Sequence, residues 1–298
     1  MTKEQLSLLK KMPTTTTSVG LNVIESQETD NLDSSDPTFP AMNKKVIKNA
    51  CVEQGGFETA ALNDTLYLHY KGYTKIENLD EYVGLKALWL DSNGLQEIGN
   101  LNHLCNLRCL FLQRNLLTRI QGLDGLVNLV QLDLNENMIQ SIYSLSCLPK
   151  LSSLNISKNL LSSSKSITHL SECKTLANVD FSHNKLEGEN VLDVLSLMRS
   201  LLSINMVGNP VVNNVSNFRK RCIGEMKLLR YLDRPIFDEE RTTVEAWVNG
   251  GSEAELEMKK YLHEKKLEEG EKKTKVRVLL NQFYTLSINC LLKIVCNL

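Results

Sequence analysis

LKALWLDSN (residues 85–93) is followed by LRCLFLQRN (107–115), with the same leucines and the same closing asparagine 22 residues on. The pattern LxxLxLxxNxL continues as LVQLDLNENMI (129–139), LSSLNISKNLL (151–161), LANVDFSHNKL (176–186) and LLSINMVGNPV (201–211). Its asparagines fall at 93, 115, 137, 159, 184 and 209, so the spacings are 22, 22, 22, 25 and 25. An earlier, imperfect copy, NDTLYLHYKGY (63–73), carries Lys71 where the asparagine should stand.

A self-similar period of this length is the signature of a leucine-rich repeat. The fold class is therefore α/β: a leucine-rich-repeat solenoid, a right-handed β–3₁₀/α superhelix of the 22-residue class. In each L-x-L core the leucines point inward and the residue between them points out. One repeat cannot bury its leucines alone, so successive coils stack on a shared core. An asparagine amide both donates and accepts, and can satisfy main-chain groups of its own and the adjoining coil. Lys71 has no acceptor, which suits a terminal coil. The second halves of the short repeats predict 3₁₀ or irregular turns, whereas ENVLDVLSLMR (189–199) reads as a true helix.

Outside the array the text changes. Residues 1–42, with TTTT and three prolines, read as a disordered N-terminal segment. NKKVIKNACVEQGG predicts an N-terminal capping helix within 43–60, with Val46, Ile47, Ala50 and Cys51 on its inner face. The array spans 61–213, and a C-terminal cap spans 214–250 with Phe218, Cys222, Met226 and Leu229 at helical spacing. Residues 251–280 form a charged, solvated helix or the start of a coiled coil, with Glu255–Lys259 and Lys260–Glu264 at i,i+4. Residues 281–298 form an apolar tail; its last 16 residues, FYTLSINCLLKIVCNL, are too few and too interrupted for a membrane span.

Composition narrows the function. The formal charge of −1 makes no global case for nucleic acid or an anionic membrane. The eight cysteines form no CxxC, and the start, MTKEQLSLLKKMP, lacks a secretory signal, so reduced thiols in cytosol or nucleus are expected. Asp180, Ser182 and His183 in DFSHN invite a hydrolase reading. However, His183 adjoins the serine in the chain and cannot serve it as a base held by the aspartate. His103, Cys105 and Cys109 lack the second ligand pair of a structural zinc. The basic run Phe218-Arg219-Lys220-Arg221 reads as a solvated cap surface rather than a nucleic-acid contact. No catalytic, cofactor or metal site is expected.

One column carries the functional signal. The residue between the strand leucines is, coil by coil, Tyr67, Trp89, Phe111, Asp133, Asn155, Asp180 and Asn205. Three aromatics on neighbouring coils make an apolar stripe on the concave face, followed by acids and amides. Tyr67, Trp89, Phe111, Asp133 and Asp180 are the candidate partner-binding residues. A covering by the N-terminal segment is the competing reading of the stripe.

ALNDTLYLHYKGYTKIENLDEYVGLKALWLDSNGL (61–95), NLRCLFLQRNLL (106–117), MVGNPV (206–211), YLDRPIF (231–237) and EAWVNGG (245–251) resemble the leucine-rich-repeat axonemal dynein assembly factor family. The resemblance covers roughly residues 43–252. It implies a non-enzymatic factor of the cytoplasm, extending to the cilium, that assists pre-assembly of the dynein arms of motile cilia. Dynein subunits, chaperones and other assembly factors are the implied partners, with a monomeric chain, no nucleic acid and no membrane. Two features depart from the family pattern. LDRP stands where a paired aspartate is expected, and FYTLSINCLLKIVCNL stands where a long acidic tail would continue, which reads either as an alternative C-terminus from splicing or as a read-through gene model. The alternative function is an intracellular adaptor of another system, such as a phosphatase-1 regulatory subunit, although the charged helix after Gly251 argues against that regulator. From the repeats alone, only a protein-binding solenoid follows.

Overall fold

The structure, a computed structural model, describes residues 39–296, with side chains through Asn281. The segment 1–38 lies outside the described residues, and with it most of the stretch expected to be disordered or to cover the stripe.

Each L-x-L core forms a three-residue strand. In chain order these are β1 Thr65–Tyr67, β2 Ala87–Trp89, β3 Cys109–Phe111, β4 Gln131–Asp133, β5 Ser153–Asn155, β6 Asn178–Asp180 and β7 Ser203–Asn205. They pair in parallel in sequence order, so Leu66, Leu88, Leu110, Leu132, Leu154, Val179 and Ile204 share one register line. All seven are buried in one core that runs from Met42 to Leu232. β8 (Tyr231–Leu232) continues the parallel run, and β9 (Arg234–Pro235) turns back antiparallel to close a nine-stranded sheet.

The asparagines hold the coils together. Asn137 Nδ2 donates to the carbonyls of Leu134 in its own coil and Leu112 in the preceding one, both at 3.0 Å, while its Oδ1 accepts the Leu117 amide at 3.1 Å. Asn93, Asn115, Asn159, Asn184 and Asn209 repeat the arrangement. A side chain can turn inward here because the residue before it is left-handed. Ser92, Arg114, Glu136, Lys158 and His183 have φ between 51° and 57°, a conformation that non-glycine residues adopt at a cost. The last coil uses Gly208 (φ 79°), where a Cβ would also meet His183 Nδ1 at 2.6 Å. The return limbs of the short coils are irregular turns. The fifth coil contains 3₁₀ turns at Ser164–Ser166 and Thr168–Glu172, and the sixth contains a helix at Asn190–Leu197.

Helix α1 (Lys44–Glu53) opens the array, with Asn43 Oδ1 accepting the Val46 amide at 2.9 Å as its N-cap. Ile47, Ala50 and Cys51 are buried, but Val46 is 40% exposed, which corrects the four-residue inner face read from spacing. The core-facing stripe is narrower because α1 meets only the first coil. At its end the Gln54 side chain lies along β1, donating Nε2–H to the Tyr67 carbonyl (2.8 Å) and accepting the Tyr67 amide (3.3 Å).

After α2 (Asn190–Leu197), the C-terminal end is closed by α3 (Pro210–Asn214) and α4 (Phe218–Glu225). Phe218, Cys222, Met226 and Leu229 are buried there. Helix α5 (Asp238–Cys296) follows, interrupted by non-helical Gly250 and Gly251. Among the described residues no helix is long and apolar enough to cross a membrane.

Candidate functional site

Strand alternation puts the first and third residue of every strand on the open face. The third residues form the column Tyr67, Trp89, Phe111, Asp133, Asn155, Asp180, Asn205, each paired to the next by sheet register. The column has two halves with different chemistry.

In the aromatic half the rings stack on one another. Tyr67 and Trp89 lie with ring centroids 4.4 Å apart at 31°, and Trp89 and Phe111 lie 4.7 Å apart at 17°. The spacing follows from the distance between neighbouring strands. Trp89 and Phe111 are half-buried by this stacking, and Tyr67 remains 37% exposed at the end of the row. A row of ring edges therefore faces solvent.

The polar half is satisfied internally. Asp133 accepts the Asn135 amide at 3.0 Å and the Asn155 side-chain amide at 3.0 Å. Asp180 accepts the Ser182 amide at 2.8 Å and the Asn205 side-chain amide at 3.1 Å. Burial pushes the Asp133 carboxyl above its ordinary value, against the pull of the Asn135 and Asn155 hydrogen bonds. The two carboxylates are thus largely committed to ordering their own turns, and the aromatics carry more of the free surface of the candidate site.

Beside the column runs a row of alternating charge: Arg114 Nε meets Glu136 at 2.8 Å, and Lys158 pairs with the other oxygen of the same carboxylate. The hydrogen bond from Lys158, helped by Arg114, holds the Glu136 carboxyl below its usual range. Sequence reasoning passed over this row, although its signal was present as charges of alternating sign at the 22-residue spacing of the repeat.

The other candidates resolve differently. Ser182 is buried beside Asp180, and His183 occupies the left-handed position at φ 56°, so these three residues build a turn. His103 Nε2–H donates to the Leu79 carbonyl at 2.9 Å, and Cys109 lies on β3. The basic run of the cap, which the sequence suggests is a solvated cap surface, is instead half-buried and ion-paired. Arg219 forms a paired contact with Glu240, both distances 2.7 Å, and also reaches the carbonyls of Leu232 and Pro235. Lys220 binds Glu255 at 2.6 Å, and Arg221 lies 3.4 Å from Glu189. The acidic partners come from elsewhere in the chain, which composition within the run cannot reveal.

No family model matches the chain. A Leptospira interrogans leucine-rich-repeat protein of known structure superposes with a TM-score of 0.51 at 23% identity, covering 63% of this chain and 48% of its own, which bears on the fold alone. The chain is 62% identical over 226 residues to dynein axonemal assembly factor 1 of Rattus norvegicus, covering 76% of this chain and 36% of that one. It is 53% identical over 232 residues to the leucine-rich repeat-containing protein ODA7 of Chlamydomonas reinhardtii, covering 78% of this chain and 54% of that one. The chain thus spans about a third to a half of the length of these two relatives. Over three quarters of its own length it is a homologue of the leucine-rich-repeat proteins named dynein axonemal assembly factor 1, the family its repeat blocks resemble.

Proposed function

We propose that this chain is a non-enzymatic scaffold for pre-assembly of axonemal dynein arms in the cytoplasm of ciliated cells. In this reading it holds a protein partner, a dynein subunit or a chaperone, on the concave strand face. The names of the relatives support the assembly role. The stacked row Tyr67, Trp89 and Phe111 is the observation that carries the binding face, because its ring edges are open to solvent while the adjoining polar half is hydrogen-bonded internally. Aromatic side chains held rigid by a sheet lose little freedom when a partner covers them, and such residues commonly anchor interfaces. Asp133 and Asp180 serve as rim residues that set orientation.

Affinity capture from ciliating cells, scored for dynein heavy and intermediate chains and for chaperones, tests the proposal. Trp89→Ala with Phe111→Ala should reduce capture about thirtyfold, the equivalent of roughly 2 kcal/mol. Asp180→Ala should cost less. Removing residues 1–38, which leaves the buried Met42 in place, distinguishes a partner site from self-covering, since an uncovered stripe would bind more tightly. A folded double variant that still captures every partner would place binding elsewhere on the chain.

A further inference from the structure

Helix α5 consists of two arms joined at Gly250–Gly251. Gly251 has φ 72° and ψ −158°, a region essentially open to glycine alone, so the junction is a sharp turn. The two arms are attached to the molecule in different ways.

The first arm, 238–249, is part of the cap. Val244 is buried and Glu240 takes the paired contact from Arg219. Val248 lies so close to α4 that a Cβ on Gly224 would come within 2.9 Å of its Cγ2. The second arm has no comparable apolar anchor. Its single buried side chain among residues 252–281 is a charged one, Glu255, at 7% exposure. Ala254, Met258 and Leu262 are half-buried, and every residue from His263 to Asn281 is exposed. Between the arms lies an open groove of about 820 Å³, with Phe237, Asp238, Glu239 and Glu240 on one side and Leu262 and His263 on the other.

Ion pairs hold the second arm in place. The Glu255 carboxylate receives Lys220 from α4 at 2.6 Å and Lys259 from its own helix at 2.7 Å. The Lys220 ammonium also lies 5.6 Å from the centre of the Trp247 ring on the first arm. Farther out, Lys266 crosses the groove to Glu239 at 2.6 Å, where both side chains are largely exposed. Exposed pairs of this kind are weak and are screened by salt.

We propose that the helix after Gly251 is a hinged arm, latched to the cap by the Lys220–Glu255 contact and able to swing about Gly250–Gly251 as a rigid rod. At 1.5 Å per residue, the 252–296 helix is about 68 Å long, so a small rotation at the hinge moves its far end a large distance. The latch is electrostatic and the hinge is glycine, so the arm opens when a latch charge is lost, or at high salt, which releases the exposed Lys266–Glu239 pair and weakens the more sheltered Lys220–Glu255 contact. The array need not unfold for this to happen.

Energy transfer between dyes introduced through unnatural amino acids at Phe237 and Lys265 reads the groove directly. Trp247 in a Trp89→Phe background reports the latch. Raising sodium chloride from 50 mM to 1 M should lower the transfer efficiency and raise acrylamide quenching of Trp247 about twofold, with the circular dichroism unchanged. Glu255→Gln should give the open signal already at low salt, and the exchanged pair Lys220→Glu with Glu255→Lys should restore the closed one. If the salt series on the otherwise unaltered chain leaves both signals flat, the arm is fixed and the proposal is overturned, whether or not the variants fold. The same holds if Glu255→Gln folds and stays closed.

Discussion

Trp89 and Phe111 stand one coil apart and stack at 4.7 Å with their planes 17° from parallel. The contact joins two coils across the open face, on the side of the sheet opposite the leucine core. It makes the aromatic row part of the stability of the array as well as a surface.

Stability effects of these two residues should therefore be coupled. In a double-mutant cycle by chemical denaturation, Trp89→Ala and Phe111→Ala should show an interaction of about 0.5–1.5 kcal/mol. Strict additivity would mean that the rings do not stack in solution.

Leu112 follows β3 and is completely buried between neighbouring coils. Its replacement by Ala should cost about 2–5 kcal/mol, through lost transfer energy and the cavity left behind. An unchanged denaturation midpoint would show that the side chain does not face the core.

Asn137→Leu is the opposite kind of change, since it adds apolar surface to a buried site. It strands the carbonyls of Leu112 and Leu134 and the amide of Leu117. A loss of roughly 1–3 kcal/mol is expected despite the gain in hydrophobicity, and a neutral or more stable variant would contradict the ladder.

Tyr73 occupies the place held by Leu95 and Leu117 in later coils, and it is 1% exposed with its hydroxyl unpaired among the described residues. Removing that hydroxyl in Tyr73→Phe should leave the melting temperature unchanged or raise it, by up to about 1 kcal/mol of added stability. A clear drop would reveal a hidden partner for the oxygen.

Glu240 is held below the ordinary carboxylate range first by its hydrogen bond to Arg219, with Arg234 adding to the pull against some burial. A depressed folded-state pKa means that the contribution is complete above the unfolded value, about 4.3. It is lost as pH falls through the folded value. Glu240→Gln should thus be less stable than the parent at pH 7, and the gap between their melting curves should narrow toward pH 3. A gap of constant size would remove the ion pair as its cause.

What the sequence makes legible is whatever the repeat dictates. The L-x-L spacing fixes the strands, their parallel register and the column of third residues, because one period positions every coil against the next. The asparagine positions follow from the same period, and their buried hydrogen bonds from amide chemistry. Contacts that break the period stayed hidden. Nothing near Arg219 in the chain announces Glu240, 21 residues away, and nothing near Lys220 announces Glu255, 35 away. Val46 was misplaced for a related reason, since helical spacing names a face but not the width of what covers it. The stacking of Trp89 on Phe111 was implied by register, whereas the division of the column into an open aromatic half and a self-bonded polar half required side-chain geometry.

Gln54 acts at the other extremity of the sheet. By presenting one amide to both main-chain groups of Tyr67, it imitates the single residue of an adjoining strand that would otherwise have to be supplied. A parallel sheet with a bare first strand can accept the last strand of another molecule, and repetition of that event makes a filament. At the far end β9 folds back on β8, so no forward-running strand is offered. With Tyr67 occupied at one end and a reversed strand at the other, head-to-tail stacking of copies meets an obstacle at both ends of the array.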